Sequence, residues 1–464
     1  MIKKIAVLLF AINLSLFADF YYSGGKKHYI KTLKTSKALG SDTTLVQNEL
    51  GSTLKITNKL IVSYSDLSVK NKIENFYELK FIKVLTNSMY LYQVENSKLT
   101  LQKANEIYEE EGIEFSHPDF VRAKKVRAIT SDPHADLLWH LQDEFHYNDA
   151  GVNVVPAWKH TKGKGVKVAV YDEGIDIDHV ELRENVYAFA NFNDDGRNLP
   201  YSVNENSWHG TAVAGILAAK ENHRGGVGIA PEISLYAVRY SNDSVSKDIE
   251  AFTWLMSEGV SIINNSWGTY AQLDAYSNIF RELATKGRDG KGIILVFASG
   301  NENQNLDATN IHDESESPYV FSIAASTEKN LIANYSNYGR SVDFTAPGGS
   351  SKSGLFTIDA TGAKGYNGSD FNYNFVGTSG AAPLVSGTIA LMLAANPTLT
   401  RTNIYKILKN TSSKLGNYSY DENGHNVYWG YGKINAGRAV EVAVSYKNSK
   451  LKNFARTMFS EMFE

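Results

Sequence analysis

The chain has 464 residues, of which 43% are hydrophobic and 21% are charged, and its formal net charge is −3 at pH 7. This is the composition of a globular protein, and the length predicts a large domain with at least one smaller one. The small net charge gives no strong field toward nucleic acid or an anionic membrane surface. Since the chain has no cysteine, disulfides, thiolate zinc sites and cysteine nucleophiles are excluded.

The first 18 residues have the pattern of a signal peptide. Lys3 and Lys4 precede an apolar run over residues 5–17, and Ala18 is a small residue before polar sequence begins. A run of this length is too short to cross a bilayer as a helix, and no later run is expected to be long and apolar enough to do so. We therefore expect an exported protein, periplasmic or secreted, with no stable membrane span.

Residues 19–127 are predicted to form a small α+β domain with its core at about 56–120. The segment before this core is polar, rich in Lys, Ser and Thr, and has no clear period. Strand patterns and helical patterns then alternate over residues 59–64, 69–79, 89–94 and 99–111. The basic run at 122–128 is typical of a solvated linker, and the alternative is a cleavage junction.

Residues 128–446 are predicted to form a larger α/β domain, followed by a polar tail at 447–464. Short β-branched runs predict strands at residues 166–171, 233–238, 260–264, 293–298 and 320–324. Stretches with helical spacing separate them, at residues 211–219, 248–257, 271–286 and 384–395. This alternation is typical of a mostly parallel sheet with helices on both faces. Functional groups in such folds collect at the carboxyl ends of the strands.

Ser379 lies between a turn of small residues and a long apolar run. Residues 377–383 are GTSGAAP, and the run that follows ends at an Asn-Pro pair. Pro383 is expected in the first turn of a helix, where its missing N–H costs nothing. Ser379 is then either a helix cap or a nucleophile at a helix N-terminus, where backbone N–H groups favour a developing negative charge.

Three further residues are expected at element ends on the same edge of the sheet. Asp172 follows the first strand of the larger domain, His209 opens an apolar helix, and Asn301 follows the strand at 293–298. Taken singly, each has a structural alternative: a turn aspartate, a histidine that caps a helix or lies in the core, and a β-turn asparagine. Together with Ser379, they supply the side chains that nucleophilic catalysis by a serine requires.

A serine hydroxyl is a weak nucleophile until a histidine accepts its proton, and that histidine needs a carboxylate to hold its tautomer. A side-chain amide and the serine N–H can hold the oxyanion, each donor being worth roughly 10²–10³ in rate. We therefore expect Asp172, His209 and Ser379 to form a catalytic triad, with Asn301 as the oxyanion donor.

Four motifs give the sequence a resemblance to the subtilisin-like serine proteases. They are VAVYDEGID at 168–176, HGTAVAG at 209–215, ASGN at 298–301 and GTSGAAP at 377–383. The resemblance covers about residues 132–444 and implies a subtilisin-like fold. NSWG at 265–268 and GYGKIN at 430–435 are similar to the kexin-like branch, although that branch's C-terminal β-domain is expected to be missing.

The resemblance implies substrate contacts that this chain keeps only in part. The residues expected to line the substrate strand are Ser266, Trp267 and Gly268. Kexins carry acidic residues after this loop and before the catalytic histidine, whereas TYAQ at 269–272 and NSW at 206–208 stand there in this chain. Glu173 and Asp307 remain as acidic residues of the pocket wall. A strict dibasic preference is therefore not expected.

A calcium site and a propeptide are also implied by the resemblance. The matching oxygen ligands are Asp132, Glu181 and Asn222, a set that suits Ca²⁺ rather than zinc. The alternative is two surface acids and a loop asparagine. Residues 19–127 would be a propeptide that acts as an intramolecular chaperone and inhibitor and is cut at the basic run.

The sequence thus predicts an exported serine endopeptidase, made as a self-processed zymogen, that acts as a monomer on protein or peptide substrates through an acyl-enzyme at Ser379. No organic cofactor is expected. An inactive subtilisin-fold protein with a binding or inhibitory role is the alternative, and loss of a triad residue, which is not seen, would favour it. An esterase of the α/β-hydrolase fold would need glycine in place of Ala381 and the reverse order of triad residues.

A peptide library tests the specificity interpretation. We expect cleavage with no absolute requirement for Arg or Lys at the cleaved position, because the acids that select basic residues in kexins are replaced here. The cleavage sites would be identified by mass spectrometry, with the Ser379→Ala variant as the blank. Strict selection of basic residues would contradict the pocket interpretation.

Overall fold

The computed structural model describes most of the chain between its two ends. The described residues are 19–23, 25–38, 41–48, 53–66, 68–121, 129–142, 149–192, 208–240, 244–269, 273–308, 313–362, 365–416 and 419–446. The predicted signal peptide, basic linker and C-terminal tail lie outside them, as do residues 206–207 and 270–272 of the predicted pocket. The chain divides into two compact units, Met1–Lys125 and Val126–Glu464.

The first unit is an antiparallel sheet with two helices. Its strands are β1 (Asp19–Ser23), β2 (Lys26–Ala38), β3 (Ser41–Asn48), β4 (Thr53–Ser63), β5 (Lys80–Val84), β6 (Met89–Gln93) and β7 (Phe115–Val121), and its helices are α1 (Ser68–Phe76) and α2 (Ser97–Tyr108). The strand order is β1-β2-β3-β4-β6-β5, and β7 also pairs with β4. The first half of β4 pairs with β3 and its second half with β6, so this one strand joins the two parts of the sheet.

The polar segment at 19–55, which has no clear period in the sequence, is folded into β1, β2, β3 and the start of β4. Among the side chains that the structure describes here, Ile30, Val46 and Ile56 form a small buried apolar cluster across these strands. These strands are joined by backbone pairing, for example between Thr44 and Ile56. Hydrophobic period cannot separate such polar strands from loops, which is why the sequence did not predict them.

The second unit is built on a seven-stranded parallel sheet. Its strands are β8 (Lys167–Asp172), β9 (Val186–Asn191), β10 (Ser234–Arg239), β11 (Ile262–Asn265), β12 (Ile294–Ala298), β13 (Val320–Ser326) and β14 (Val342–Pro347). The order is β14-β13-β12-β11-β8-β10-β9, and each neighbouring pair is parallel. A separate antiparallel pair is formed by β15 (Leu355–Ile358) and β16 (Phe371–Phe375).

Helices cover both faces of this sheet. They are α3 (Val155–Trp158), α4 (His209–Ala218), α5 (Val245–Ser257), α6 (Asp274–Lys286), α7 (Thr378–Ala395), α8 (Arg401–Thr411) and α9 (436–446). Val168 and Val170 of β8 belong to a core shared with α4 and α7, whereas Ala169 and Tyr171 belong to a core shared with α5 and α6. Alternate residues of one strand thus face opposite helix layers. The predicted mostly parallel α/β architecture is confirmed.

Helix α7 is the central core helix. Among the described residues, it alone is long and apolar enough to cross a membrane by length and composition, and 89% of it is buried inside the fold. The expectation that no run after residue 18 is long and apolar enough to cross a bilayer is therefore wrong as regards length and composition. A helix surrounded by protein on all sides is apolar all round for the same physical reason as a membrane span.

The start of α7 corrects the expected place of Pro383. The helix begins at Thr378 rather than near 384, so Pro383 lies inside it and not in its first turn. A proline there has no N–H for the carbonyl of Ser379, four residues earlier. The hydroxyl of Ser266 donates to that carbonyl instead, over 3.1 Å. The loop after β11 therefore replaces the bond that the proline removes.

Candidate active site

The structure brings the four predicted catalytic residues to the carboxyl edge of the parallel sheet. Asp172 is the last residue of β8, and Asn301 lies just after β12. His209 and Ser379 lie in the first turns of α4 and α7. This is the edge at which an open α/β sheet places its functional groups.

A buried carboxylate orients the imidazole of His209. Asp172 is 1% exposed, and its Oδ1 lies 2.9 Å from Nδ1 of His209. Since a carboxylate only accepts, Nδ1 carries the proton and Nε2 is left as the basic nitrogen. Gly210 permits this approach, because a Cβ at that position would lie 2.9 Å from the Cβ of Asp172 and 2.4 Å from the carbonyl oxygen of Gly174.

Opposing effects set the pKa of His209. Burial lowers it, but the charge of Asp172, the hydrogen bond to that carboxylate and the charge of Glu173 together raise the pKa above the ordinary value of a histidine. A raised pKa strengthens the imidazole as a proton acceptor. It also means that the neutral, accepting form is populated only at a higher pH than in a free histidine.

Glu173, predicted in the substrate pocket, lies directly beside this pair. Its Oε1 accepts the backbone N–H of His209 at 3.1 Å, and its carbonyl oxygen accepts from Nε of Arg239 at 3.1 Å. Burial, and next the charge of Asp172, raise the pKa of Glu173. Its carboxylate therefore caps the helix that carries His209. Its contact with substrate stays a prediction.

The hydroxyl of Ser379 faces the loop after β11. Ser379 is 7% exposed, and its Oγ donates to the carbonyl of Ser266 at 3.3 Å. Together with the bond from Ser266 Oγ to the Ser379 carbonyl, this joins the two residues twice. Among the described residues, no hydrogen bond joins Ser379 to His209. Catalytic hydrogen bonds are often long or poorly aligned before substrate binds. The missing bond is therefore compatible with proton transfer from Ser379 to His209 once substrate is bound.

Phe375 connects the histidine and the serine through packing. Its ring centroid is 5.6 Å from that of His209. Its Cδ1 is 3.4 Å from the point that a Cβ on Gly380 would occupy, next to Ser379. The imidazole and the first turn of α7 therefore flank the same aromatic ring.

Asn301 presents its amide to the first turn of α7. Its Oδ1 accepts from the N–H of Thr378 at 2.8 Å and from the Thr378 hydroxyl at 2.9 Å. These bonds fix the amide and leave Nδ2 as its donor. A Cβ on Gly377, where φ is 143°, would lie 3.6 Å from both Nδ2 of Asn301 and N of Ser379. Two N–H donors thus border one small space, and glycine keeps it open.

The loop after β11 carries the three predicted substrate-binding residues. Asn265 pairs with Tyr171 across the sheet, so this loop leaves the sheet level with Asp172. Trp267 packs edge-on against Tyr171, and its Nε1 donates to the Tyr171 carbonyl at 2.9 Å. The indole therefore holds the loop against the strand that ends in Asp172.

One buried acid that the sequence did not indicate, Glu314, supports the end of this loop, and a second, Asp313, lies beside it. A Cβ on Gly268 would lie 2.3 Å from Oδ2 of Asp313, and Oε2 of Glu314 accepts the N–H of Thr269 at 3.0 Å. The Thr269 hydroxyl donates to the other oxygen of Glu314. Glu314 is 45 positions from Thr269, and no local pattern links residues at that separation.

Asp307 is placed apart from this cluster. Its carboxylate accepts the backbone N–H of Arg340 at 3.0 Å and pairs with the side-chain Nε of the same residue at 3.3 Å. No described contact joins it to the predicted triad. Its position in the pocket wall stays a prediction, and the ion pair is a sufficient structural reason for the carboxylate.

The three predicted calcium ligands lie together. Asp132 and Glu181 are 3% and 0% exposed, and Asn222 donates its N–H to Asp132 at 3.0 Å and its Nδ2 to Glu181 at 3.0 Å. Burial, and next the charge of Asp132, raise the pKa of Glu181 to about 7. Oε1 of Glu181 is buried and has no hydrogen-bond partner among the described residues.

Two buried carboxylates with one unpartnered oxygen fit a hard cation such as Ca²⁺. The amide oxygen of Asn222, however, accepts the N–H of Arg224 at 3.0 Å, so the side chain faces Glu181 with its nitrogen. The described residues contain no cluster of three or more acidic, histidine or cysteine side chains that could hold a metal. Backbone carbonyls would have to complete the shell.

This arrangement resembles that of serine hydrolases built on a parallel α/β sheet. Residues 163–432 match the Subtilase family, Peptidase_S8, and the chain belongs to that family. The predicted resemblance to subtilisin-like serine proteases is therefore confirmed.

Individual relatives agree with this assignment. The chain is 29% identical over 433 residues to a calcium-dependent protease of a Nostoc species, covering 84% of this chain and 64% of the relative. It is 29% identical over 347 residues to kexin of Saccharomyces cerevisiae, covering 71% of this chain and 42% of kexin. The chain thus spans less than two thirds of the length of either relative.

A solved protease structure from Pseudoalteromonas arctica is similar at a TM-score of 0.57 and 26% identity, covering 68% of this chain and 99% of that one. This likeness confirms the predicted subtilisin-like fold.

Replacing Glu173 by glutamine is expected to lower the pKa of His209. The variant removes a negative charge that favours the imidazolium, while the amide oxygen can still accept the His209 N–H. The pKa would be measured by NMR titration in a Ser379→Ala background, with the signal identified by its loss in His209→Ala. Asp307→Asn, which removes a carboxylate paired with Arg340, should leave this pKa unchanged. An unaltered pKa in Glu173→Gln would show that the Glu173 charge does not act on His209.

Proposed function

We propose that this chain is a serine endopeptidase with Asp172, His209 and Ser379 as its catalytic triad. The observation that carries the proposal is the hydrogen-bonded pair of buried Asp172 and partly exposed His209, at the same sheet edge as a serine in the first turn of a helix. Membership of the Subtilase family supports peptide-bond hydrolysis as the reaction.

In the proposed first step, Oγ of Ser379 leaves the Ser266 carbonyl and attacks the carbonyl carbon of the scissile bond. Nε2 of His209 accepts the hydroxyl proton. Asp172 holds Nδ1 protonated and stabilises the imidazolium that forms. The tetrahedral intermediate collapses when His209 gives the proton to the leaving amine, and an acyl-enzyme remains at Ser379.

The negative oxygen of the intermediate would lie in the space kept open by Gly377. The N–H of Ser379 and Nδ2 of Asn301 are its proposed donors, each worth roughly 10²–10³ in rate. Water then attacks the acyl carbon while His209 accepts a proton from it. His209 returns that proton to Oγ as the acid product leaves.

Substrates are proposed to be proteins or peptides bound as an extended strand. The loop of Ser266, Trp267 and Gly268 would pair with the substrate backbone in the manner of an added β-strand. The support given to this loop by Trp267 and Glu314 favours a fixed edge rather than one that forms on binding.

We also propose that the chain is exported and made as a self-processed zymogen that works as a monomer. Residues 19–127 would act as chaperone and inhibitor, with the basic run at 122–128 as the cleavage junction. The sequence pattern and family membership support this part of the proposal.

A structural calcium ion is proposed at Asp132 and Glu181, with backbone carbonyls completing the shell; Asn222 would join it after its amide turns so that Oδ1 rather than Nδ2 faces Glu181. The Nostoc relative is named a calcium-dependent protease, which supports this proposal. When bound, the ion would neutralise two buried carboxylates that otherwise repel each other, and so stabilise this part of the fold.

Ser379→Ala is expected to abolish peptide hydrolysis, because no other group replaces the nucleophile. If maturation is autocatalytic, the variant should also remain uncut; the whole chain is 51.4 kDa before any processing. Thr388→Ala, which removes a buried hydroxyl on the same helix, should keep its activity and serve as the control. Hydrolysis by Ser379→Ala would refute the proposed triad, and normal processing would refute self-cleavage.

Removal of calcium is expected to lower the melting temperature. A ligand that binds only the folded state adds RT ln(1 + [L]/Kd), about 2.7 kcal/mol at a hundred times Kd. Melting curves would be recorded with a chelator and with added Ca²⁺. Glu181→Gln should lose most of this response, whereas Asp307→Asn should keep it. A wild-type melting curve that does not respond to chelation would remove the calcium proposal.

A further inference from the structure

A buried asparagine between β13 and β14 holds the turn that carries Asn301. Asn337 is 1% exposed. Its Oδ1 accepts the N–H of Glu302 at 3.1 Å and the N–H of Gln304 at 2.9 Å. Its own N–H donates to the carbonyl of Gly300 at 3.1 Å. One residue therefore bonds the turn on both sides of Asn301.

The side chain of Asn337 also acts on Asn301 through Glu302. Nδ2 of Asn337 donates to Oε2 of Glu302 at 2.9 Å. The same oxygen accepts the backbone N–H of Asn301 at 2.8 Å. The amide of Asn337 thus holds the Glu302 carboxylate in place, and that carboxylate in turn holds the backbone of Asn301.

The backbone of this turn includes two residues in the left-handed region, a conformation that its local sequence permits but does not fix. Gly300 has φ of 98° and Asn303 has φ of 54°, both in the left-handed region. A Cβ at Gly300 would lie 2.2 Å from Nδ2 of Asn337, so the close contact itself requires glycine. Left to local preferences, such a turn would sample other shapes.

Asn301 is therefore held at two ends. Thr378 bonds its side-chain oxygen, and the Asn337–Glu302 pair bonds its backbone. We propose that Asn337 is a positioning residue that sets the place of the Asn301 donor, an inference that rests on the proposed function. Because a displacement of about 1 Å can cost about 10² in rate, a buried amide that never meets substrate can control kcat.

Asn337→Ala tests this role. We expect kcat to fall by about 10- to 100-fold with KM nearly unchanged, because the donor acts on the transition state rather than on bound substrate. Asn396→Ala is the matched control, since Asn396 is also fully buried and lies at the far end of α7, where it bonds Ala443 and Thr398. The control should keep kcat. A wild-type kcat in Asn337→Ala would overturn the proposal.

A double-mutant cycle separates positioning from a general structural effect. If Asn337 acts through Asn301, adding Asn337→Ala to Asn301→Ala should lower kcat little further. Fully additive losses would mean that Asn337 affects the rate by another route, and would overturn the proposal.

A conservative variant covers the case in which Asn337→Ala does not fold. Asn337→Asp keeps both acceptor bonds but sets a carboxylate against Glu302, and its kcat should fall. Glu302→Ala, which removes the Glu302 carboxylate while keeping Asn337, should also lower kcat, and combining it with Asn337→Asp should lower kcat little further. Fully additive losses, with the double variant folded by circular dichroism, would overturn the relay through Glu302.

The wild type and Ser379→Ala are measured in the same assays, so that failure of the proposed function can be distinguished from failure of the positioning role. A wild-type chain without hydrolytic activity would overturn the proposed function and the positioning role together. An active wild type with an unaffected Asn337→Ala would overturn the positioning role alone.

Discussion

The burial of one carboxylate constrains the whole carboxyl edge of the second unit. Asp172 ends β8, which lies between β10 and β11, so neighbouring strands flank it on both sides. A carboxylate removed from water needs a partner that donates, and His209 supplies one. The helix that carries His209 must therefore begin at this point, with glycine as its second residue. The same charge then acts on its neighbours in opposite ways, stabilising a protonated imidazole and disfavouring the ionised form of Glu173.

Much of this edge could be predicted from the sequence because its parts are local patterns. Asp172 and Asn301 directly follow β-branched strands, and His209 and Ser379 precede apolar helical runs. Strands of one parallel sheet bring such positions together without further information. The start of α7 is less predictable, because a proline indicates the beginning of a helix, whereas here the distant Ser266 hydroxyl allows it inside the helix.

Other parts could not be predicted because they depend on contacts between distant residues. The strands before residue 56 have a polar sequence without a clear hydrophobic period, so their pairing cannot be detected from it. Glu314 and Asn337 look like ordinary polar residues of loops, and only the fold shows that each supports a loop of the site. In the sequence, Glu173 and Asp307 are both predicted as acidic residues of the pocket wall. The structure gives them different partners, the N-terminus of α4 for one and an arginine for the other.

The two bonds between Ser266 and Ser379 have a consequence for how this sequence can vary. A residue with an N–H at position 383 would compete with Ser266 for the carbonyl of Ser379. Conversely, loss of the Ser266 hydroxyl would leave that buried carbonyl without a donor while proline remained. Because a carbonyl oxygen can accept two hydrogen bonds, the constraint acts in one direction, although 117 residues separate the two positions in the chain. Among descendants of this sequence, loss of the Ser266 hydroxyl should therefore accompany or follow the loss of Pro383, and not precede it.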